Sequence, residues 1–137
     1  MNIKHIIFSL AFISFFSACG QTGNKTATPP KDLTTLWEEM MVVHDEVMPK
    51  MSDITRLKKQ LRGDSANLAL ITQLTKAEDG MWDWMHNLTP LHKLEEMENA
   101  PARDYVLKET AKINTVSKMM KDGIAAAEAR LKQKSGQ

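Results

Sequence analysis

The chain has 137 residues, with 18 Lys and Arg against 17 Asp and Glu, one cysteine, ten methionines and 42% apolar content. That length suits one domain rather than two, and a formal net charge of +1 lacks the basic excess that nucleic-acid binding requires. The lone cysteine excludes an intramolecular disulfide.

Lys4 precedes an apolar stretch from Ile6 to Phe16, and Phe16-Ser17-Ala18-Cys19 sets small residues directly before the cysteine. A run this short falls below the roughly 20 residues that a membrane-spanning helix needs, so residues 1–18 read as a cleaved signal peptide. Cys19 at that junction resembles the bacterial lipobox, although Phe16 stands where leucine is usual. The expectation is a lipid attached at Cys19, anchoring the chain to a membrane. Cleavage would remove all four phenylalanines together with Lys4 and His5, leaving 17 basic and 17 acidic residues. Such a balance gives no electrostatic reason to bind nucleic acid or acidic lipid.

Residues 19–34 form the expected anchor and tether. Gly20 to Lys31 (GQTGNKTATPPK) holds no large apolar residue and is rich in Gly, Thr and Pro, so nothing offsets the entropy of ordering it. Fully extended, these residues reach roughly 40 Å.

From residue 35 to residue 134 the apolar positions recur at three and four residues, which predicts an all-α domain. Thr35 with Glu38 suggests a capping box, and Gly63 a stop. Between them Trp37, Met40, His44, Val47, Met51, Ile54 and Leu61 lie on one face, interrupted at Lys58. Pro49 should kink this helix, because it cannot donate to the Asp45 carbonyl. The kink either shapes a pocket beside His44 or bends the helix round its neighbours, and the second reading is the simpler.

Asp64 or Ser65 can cap a second helix, whose stripe is Leu70, Leu74, Ala77, Met81, Met85 and Leu88. Gly80 inside it permits close backbone approach or marks a break before Met81. Pro90 ends that helix and can open a short one, and Pro101 suits the first turn of a long last helix. The last stripe is Val106, Ile113, Val116, Met120, Ile124, Ala127 and Leu131. Three stripes joined by short connections imply an antiparallel three-helix bundle running up, down and up. Its core would rest on flexible thioethers, Leu, Ile and Val, and so should be thin.

The stretches His44-Asp45-Glu46-Val47-Met48-Pro49-Lys50-Met51 and Met81-Trp82-Asp83-Trp84-Met85 resemble a family of small Bacteroidota lipoproteins, some of which carry the label "viral A-type inclusion protein". The resemblance covers signal, tether and helices, with the last helix similar only in pattern. It implies an envelope location and a helical fold. No activity is established for that family, so none is implied here.

One constellation could carry chemistry. His44 lies on the first stripe with Met40, Met41, Met48 and Met51 on nearby turns, and pairing about Gly63-Asp64 sets it roughly level with Met81 to Met85. Thioethers with an imidazole and a neighbouring Trp select copper(I), and a Met/His pair could equally be axial ligands to haem. The simpler reading is core packing, since methionine at helical spacing usually fills a core. His86 and His92 fall off the stripes. Asp64-Ser65-Ala66 resembles the short O-glycosylation sequon of Bacteroidota, with Ser65 as acceptor, but a plain N-cap explains it as well.

No CxxCH, CxxC, HExxH, Walker or GxGxxG motif is present, so no enzyme is expected. The leading expectation is a non-catalytic helical module, lipid-anchored in a Gram-negative envelope, that contacts another envelope protein or itself. The alternative is a periplasmic copper(I) or haem binder using His44, Met48, Met51, Met81 and Met85. Gly20 lacks the Asp of the inner-membrane retention rule, which favours the outer membrane.

Overall fold

The structure, a computed structural model, describes residues 31–136. Cys19, the signal peptide and nearly all of the tether lie outside the described residues. What is described is all-helical, as the periodicity requires, with no strand among these residues.

The first helix, α1 (Leu33–Val47), begins two residues before the expected Thr35. Asp32 is its N-cap: the backbone there is extended and the carboxylate accepts the Thr35 N–H at 2.7 Å. Aspartate caps as well as threonine does, and its charge also meets the positive end of the helix dipole, so the earlier cap wins. That same Thr35 N–H holds the Asp32 carboxyl below its ordinary range.

Pro49 does more than bend a single helix. The hydrogen-bond ladder stops after Val47 and resumes in α2 (Lys50–Leu61). Met48 and Pro49 nevertheless keep right-handed helical dihedrals, at φ −55°, ψ −43° and φ −60°, ψ −26°. The Met48 N–H still reaches the His44 carbonyl at 2.8 Å, while the Met51 N–H bonds the Met48 carbonyl at 3.2 Å in a tighter step. Ser52 Oγ donates to the Pro49 carbonyl at 2.9 Å and helps close the gap.

Gly63 takes φ +91°, the left-handed conformation that stops α2, and Asp64 then caps a short 3-10 turn over Ser65–Asn67. Asn67 is buried in this turn. Its Nδ2 donates to the Leu61 carbonyl and its Oδ1 accepts from Arg130 Nε, both at 3.0 Å, so one amide pins the connection to the far end of the chain.

Helix α3 (Leu68–Asn87) runs straight through Gly80, with no break before Met81. A short helix, α4 (Leu91–Glu95), is opened by Pro90 and buries Leu94. The last helix, α5 (Asn99–Ser135), has 37 residues and spans about 55 Å, with Pro101 in its first turn.

Helices α1, α2 and α3 all pack along α5. The core joins Leu36, Met40 and Val47 of α1, Ile54, Leu57 and Leu61 of α2, and Leu74, Ala77, Met81 and Trp84 of α3 to Ala102, Val106, Ile113, Val116, Met120 and Ala127 of α5. Three details depart from the expected stripes. Leu36 replaces Trp37 at the centre, Leu57 fills the turn where Lys58 broke the pattern, and Trp84 is buried while Met85 is only partly so. Each is a rotation of one position about the helix axis. Helices α3 and α5 are tightly packed at Gly123, where a Cβ would lie 3.2 Å from Leu74 Cδ2.

Polar contacts across the surface fix the register. Lys58 pairs with Glu78, and Lys121 with Glu46 at 2.7 Å. The Lys121 ammonium, bonding Glu46 directly and attracting its charge, holds the Glu46 carboxyl below the usual range. Both Asp32 and Glu46 are thus more acidic folded than unfolded. Their contribution is complete above the ordinary carboxylate range and is lost as pH falls through the lowered values. Thermal melts followed by circular dichroism between about pH 6 and about pH 3 should therefore show a falling Tm. An Asp32→Asn, Glu46→Gln double variant should show a shallower fall, and an unchanged slope would contradict these two assignments.

Candidate functional site

The candidate site forms where the last turns of α1 and α3 meet. His44 lies on α1 with its side chain 14% exposed, and its two ring nitrogens have different partners. Nδ1 is 2.8 Å from the Asp45 carboxylate, and Nε2 is 3.4 Å from the thioether sulfur of Met85 on α3. A carboxylate only accepts, so Nδ1 carries the hydrogen and donates it to Asp45. In the neutral ring this leaves Nε2 with a bare lone pair turned toward sulfur.

The wall of the site is Trp84. Its ring centroid is 5.6 Å from that of His44 with the planes tilted by 32°, and only 5% of the residue is exposed. The indole Nε1 is buried without a hydrogen-bond partner among the described residues. Trp84 also borders a cleft of about 300 Å³ lined by Gly80, Asp83, Asn87, Glu109, Lys112 and Val116. Glu109 is 6% exposed and pairs at 2.7 Å with Lys112, whose ammonium is raised above its ordinary range by that carboxylate.

Of the five expected ligands, the fold brings His44 and Met85 into contact. Met81 is fully buried in the core, and Met48 and Met51, on either side of Pro49, pack partly buried against it. Those three serve packing. Ser65 is exposed at the start of the 3-10 turn, where the Asp64 carboxylate accepts the Ala66 N–H at 3.0 Å, so a cap accounts for the Asp-Ser-Ala sequence. His86 and His92 are exposed, and His86 Nδ1 lies 2.7 Å from the Trp82 carbonyl.

Asp45 is the participant that helical spacing did not single out, because adjacent residues on a helix do not usually face each other. Glu109 was legible in principle: it stands on the stripe between Val106 and Ile113, a carboxylate in a row of apolar positions. Among the described residues, no three His, Cys, Asp or Glu side chains converge on a point where a metal could sit. No helix there is long and apolar enough to cross a membrane. No known protein family, curated protein or solved structure matches the chain.

His44 is a polar group embedded at the edge of an apolar core, and its partner Asp45 is itself largely exposed. Replacing the imidazole by an apolar side chain of similar volume leaves no buried group orphaned. His44→Leu is accordingly expected to keep ΔG of unfolding within about 1.5 kcal/mol of the parent, or to raise it, in a urea titration. A loss above about 3 kcal/mol would show that the imidazole holds the fold itself together.

Proposed function

We propose that this chain is a lipid-anchored, non-catalytic helical module of a Gram-negative envelope, held at the membrane through Cys19 and contacting another envelope protein or a second copy of itself. The observation that carries this reading is the N-terminus of the first described helix. Asp32 caps α1, and in the sequence the Gly-, Thr- and Pro-rich stretch Gly20 to Lys31 separates that cap from Cys19. Its reach lets the domain stand clear of the headgroups. Gly20 after the cysteine favours the outer membrane, and the resemblance of the His44–Met51 and Met81–Met85 stretches to small Bacteroidota lipoproteins supports an envelope location.

Within that reading the domain is an antiparallel three-helix bundle: α1 with α2 as a first arm interrupted at Pro49, α3 as the second and α5 as the third. Contacts taken in order support it. His44 meets Met85 and Thr55 meets Glu78 across the first two arms, and Leu61 meets Asn67 at the turn that joins them. On the outside, Val42, Trp82 and Leu107 are large apolar side chains left exposed on α1, α3 and α5, and they suit contact with another protein.

The test is lipidation itself. Cells fed a labelled fatty acid should incorporate label into the parent chain and not into Cys19→Ala, which should leave the membrane fraction or stall as precursor. Label, mass and membrane association all unchanged by Cys19→Ala would overturn the proposal.

A further inference from the structure

We propose that His44 and Met85 form a binding site for one soft monovalent metal ion, copper(I), beside the buried Trp84 ring. The site stands on side-chain geometry alone and goes beyond the anchored-module reading: it holds whether or not Cys19 is lipidated.

The starting point is a mismatch between neighbours. Asp45 fixes the Nδ1 hydrogen, so the Nε2 lone pair of the neutral ring faces a sulfur that can offer only lone pairs in return. Two electron-rich atoms in contact gain nothing from each other. A soft cation shared between them turns the contact into two bonds.

The distance fits such an ion. Metal–nitrogen bonds near 2.0 Å and metal–sulfur bonds near 2.3 Å place the two donors at the observed 3.4 Å when they meet at roughly 105°, close to a tetrahedral or trigonal angle. Haem is a different case. Its two axial ligands lie on opposite faces of the iron, so the same bonds would separate Nε2 from sulfur by about 4.3 Å with a porphyrin between them. The His44–Met85 pair is too close for that arrangement, so the site proposed on these two residues is one for copper(I).

Donor chemistry then selects the metal. A thioether is a soft ligand that favours copper(I), whereas zinc, magnesium and calcium need the imidazole, thiolate or carboxylate sets that do not converge among the described residues. Trp84 shelters the imidazole. Its buried ring lies against His44, 5.6 Å between ring centroids, and covers that side of the imidazole from water. Asp45 is a positioning residue: a carboxylate on the far nitrogen orients the ring, as it commonly does for metal-bound histidine.

The experiment uses the full-length protein in detergent, without oxygen, with copper(I) kept reduced by ascorbate and titrated against a chromophoric copper(I) chelator. One equivalent should bind per chain, with quenching of tryptophan fluorescence. His44→Leu and Met85→Leu should each weaken binding at least about tenfold while the helical dichroism stays unchanged, and Asp45→Asn should weaken it by about tenfold. Met97→Leu, at an exposed methionine, should bind as the parent does. Should His44→Leu misfold, His44→Gln removes the imidazole and keeps a polar side chain. Failure of the parent to bind one equivalent, binding undiminished in both the His44 and Met85 variants, or equal affinity for zinc would each overturn the site.

Discussion

The apolar face of α5 is the surface on which the other helices are assembled. Over its length it presents Ala102, Val106, Ile113, Val116, Met120, Gly123 and Ala127, large in the middle and small toward the end. The small positions let Leu74 of α3 come to 3.2 Å from where a Gly123 Cβ would stand, while the larger ones fill the space between α1, α3 and α5. Polar groups lock the helices along the axis at both ends. Near one end the Tyr105 hydroxyl accepts the Thr89 N–H at 2.7 Å, and near the other Asn67 bonds both Leu61 and Arg130. His44 and Met85 meet because α1 and α3 are separately fixed to this scaffold. A slip of one helical turn, about 5.4 Å, would part them.

Pro49 gives the first arm two independent faces. With the ladder interrupted after Val47, α1 directs Leu36, Met40 and Val47 into the core and α2 restarts with Ile54, Leu57 and Leu61. The break falls one turn after His44, so the residues that orient the imidazole are the last of an intact helix. Methionine suits the surroundings, since Met40, Met81 and Met120 are fully buried and an unbranched thioether fills irregular gaps between segments that do not run straight.

Much of this was legible in the sequence because the punctuation is strong. Gly63, Pro90 and Pro101 mark helix ends by their backbone chemistry alone, and pairing about Gly63-Asp64 brings His44 roughly level with the span Met81 to Met85. Less was legible where two residues compete for one role. Asp32 and Thr35 can each cap α1, and periodicity does not rank them. Leu57 and Lys58 differ by one position, so a stripe counted through the gap at Pro49 drifts. Buried polar groups were the hardest to foresee. Asn67 and Glu109 are inside because a carbonyl and a lysine receive them, and a hydrophobic pattern carries no trace of that.

The account turns on which nitrogen of His44 carries the hydrogen, since Asp45 must hold Nδ1–H for Nε2 to face Met85 as a lone pair. Long-range nitrogen-15 NMR of the metal-free protein, at a pH where the ring is neutral, reads this directly. The expected result is the Nδ1–H tautomer with an unprotonated Nε2 whose resonance moves when copper(I) is added under reducing conditions. An Nε2–H tautomer, with its hydrogen directed at the Met85 sulfur and no response to copper(I), would contradict it.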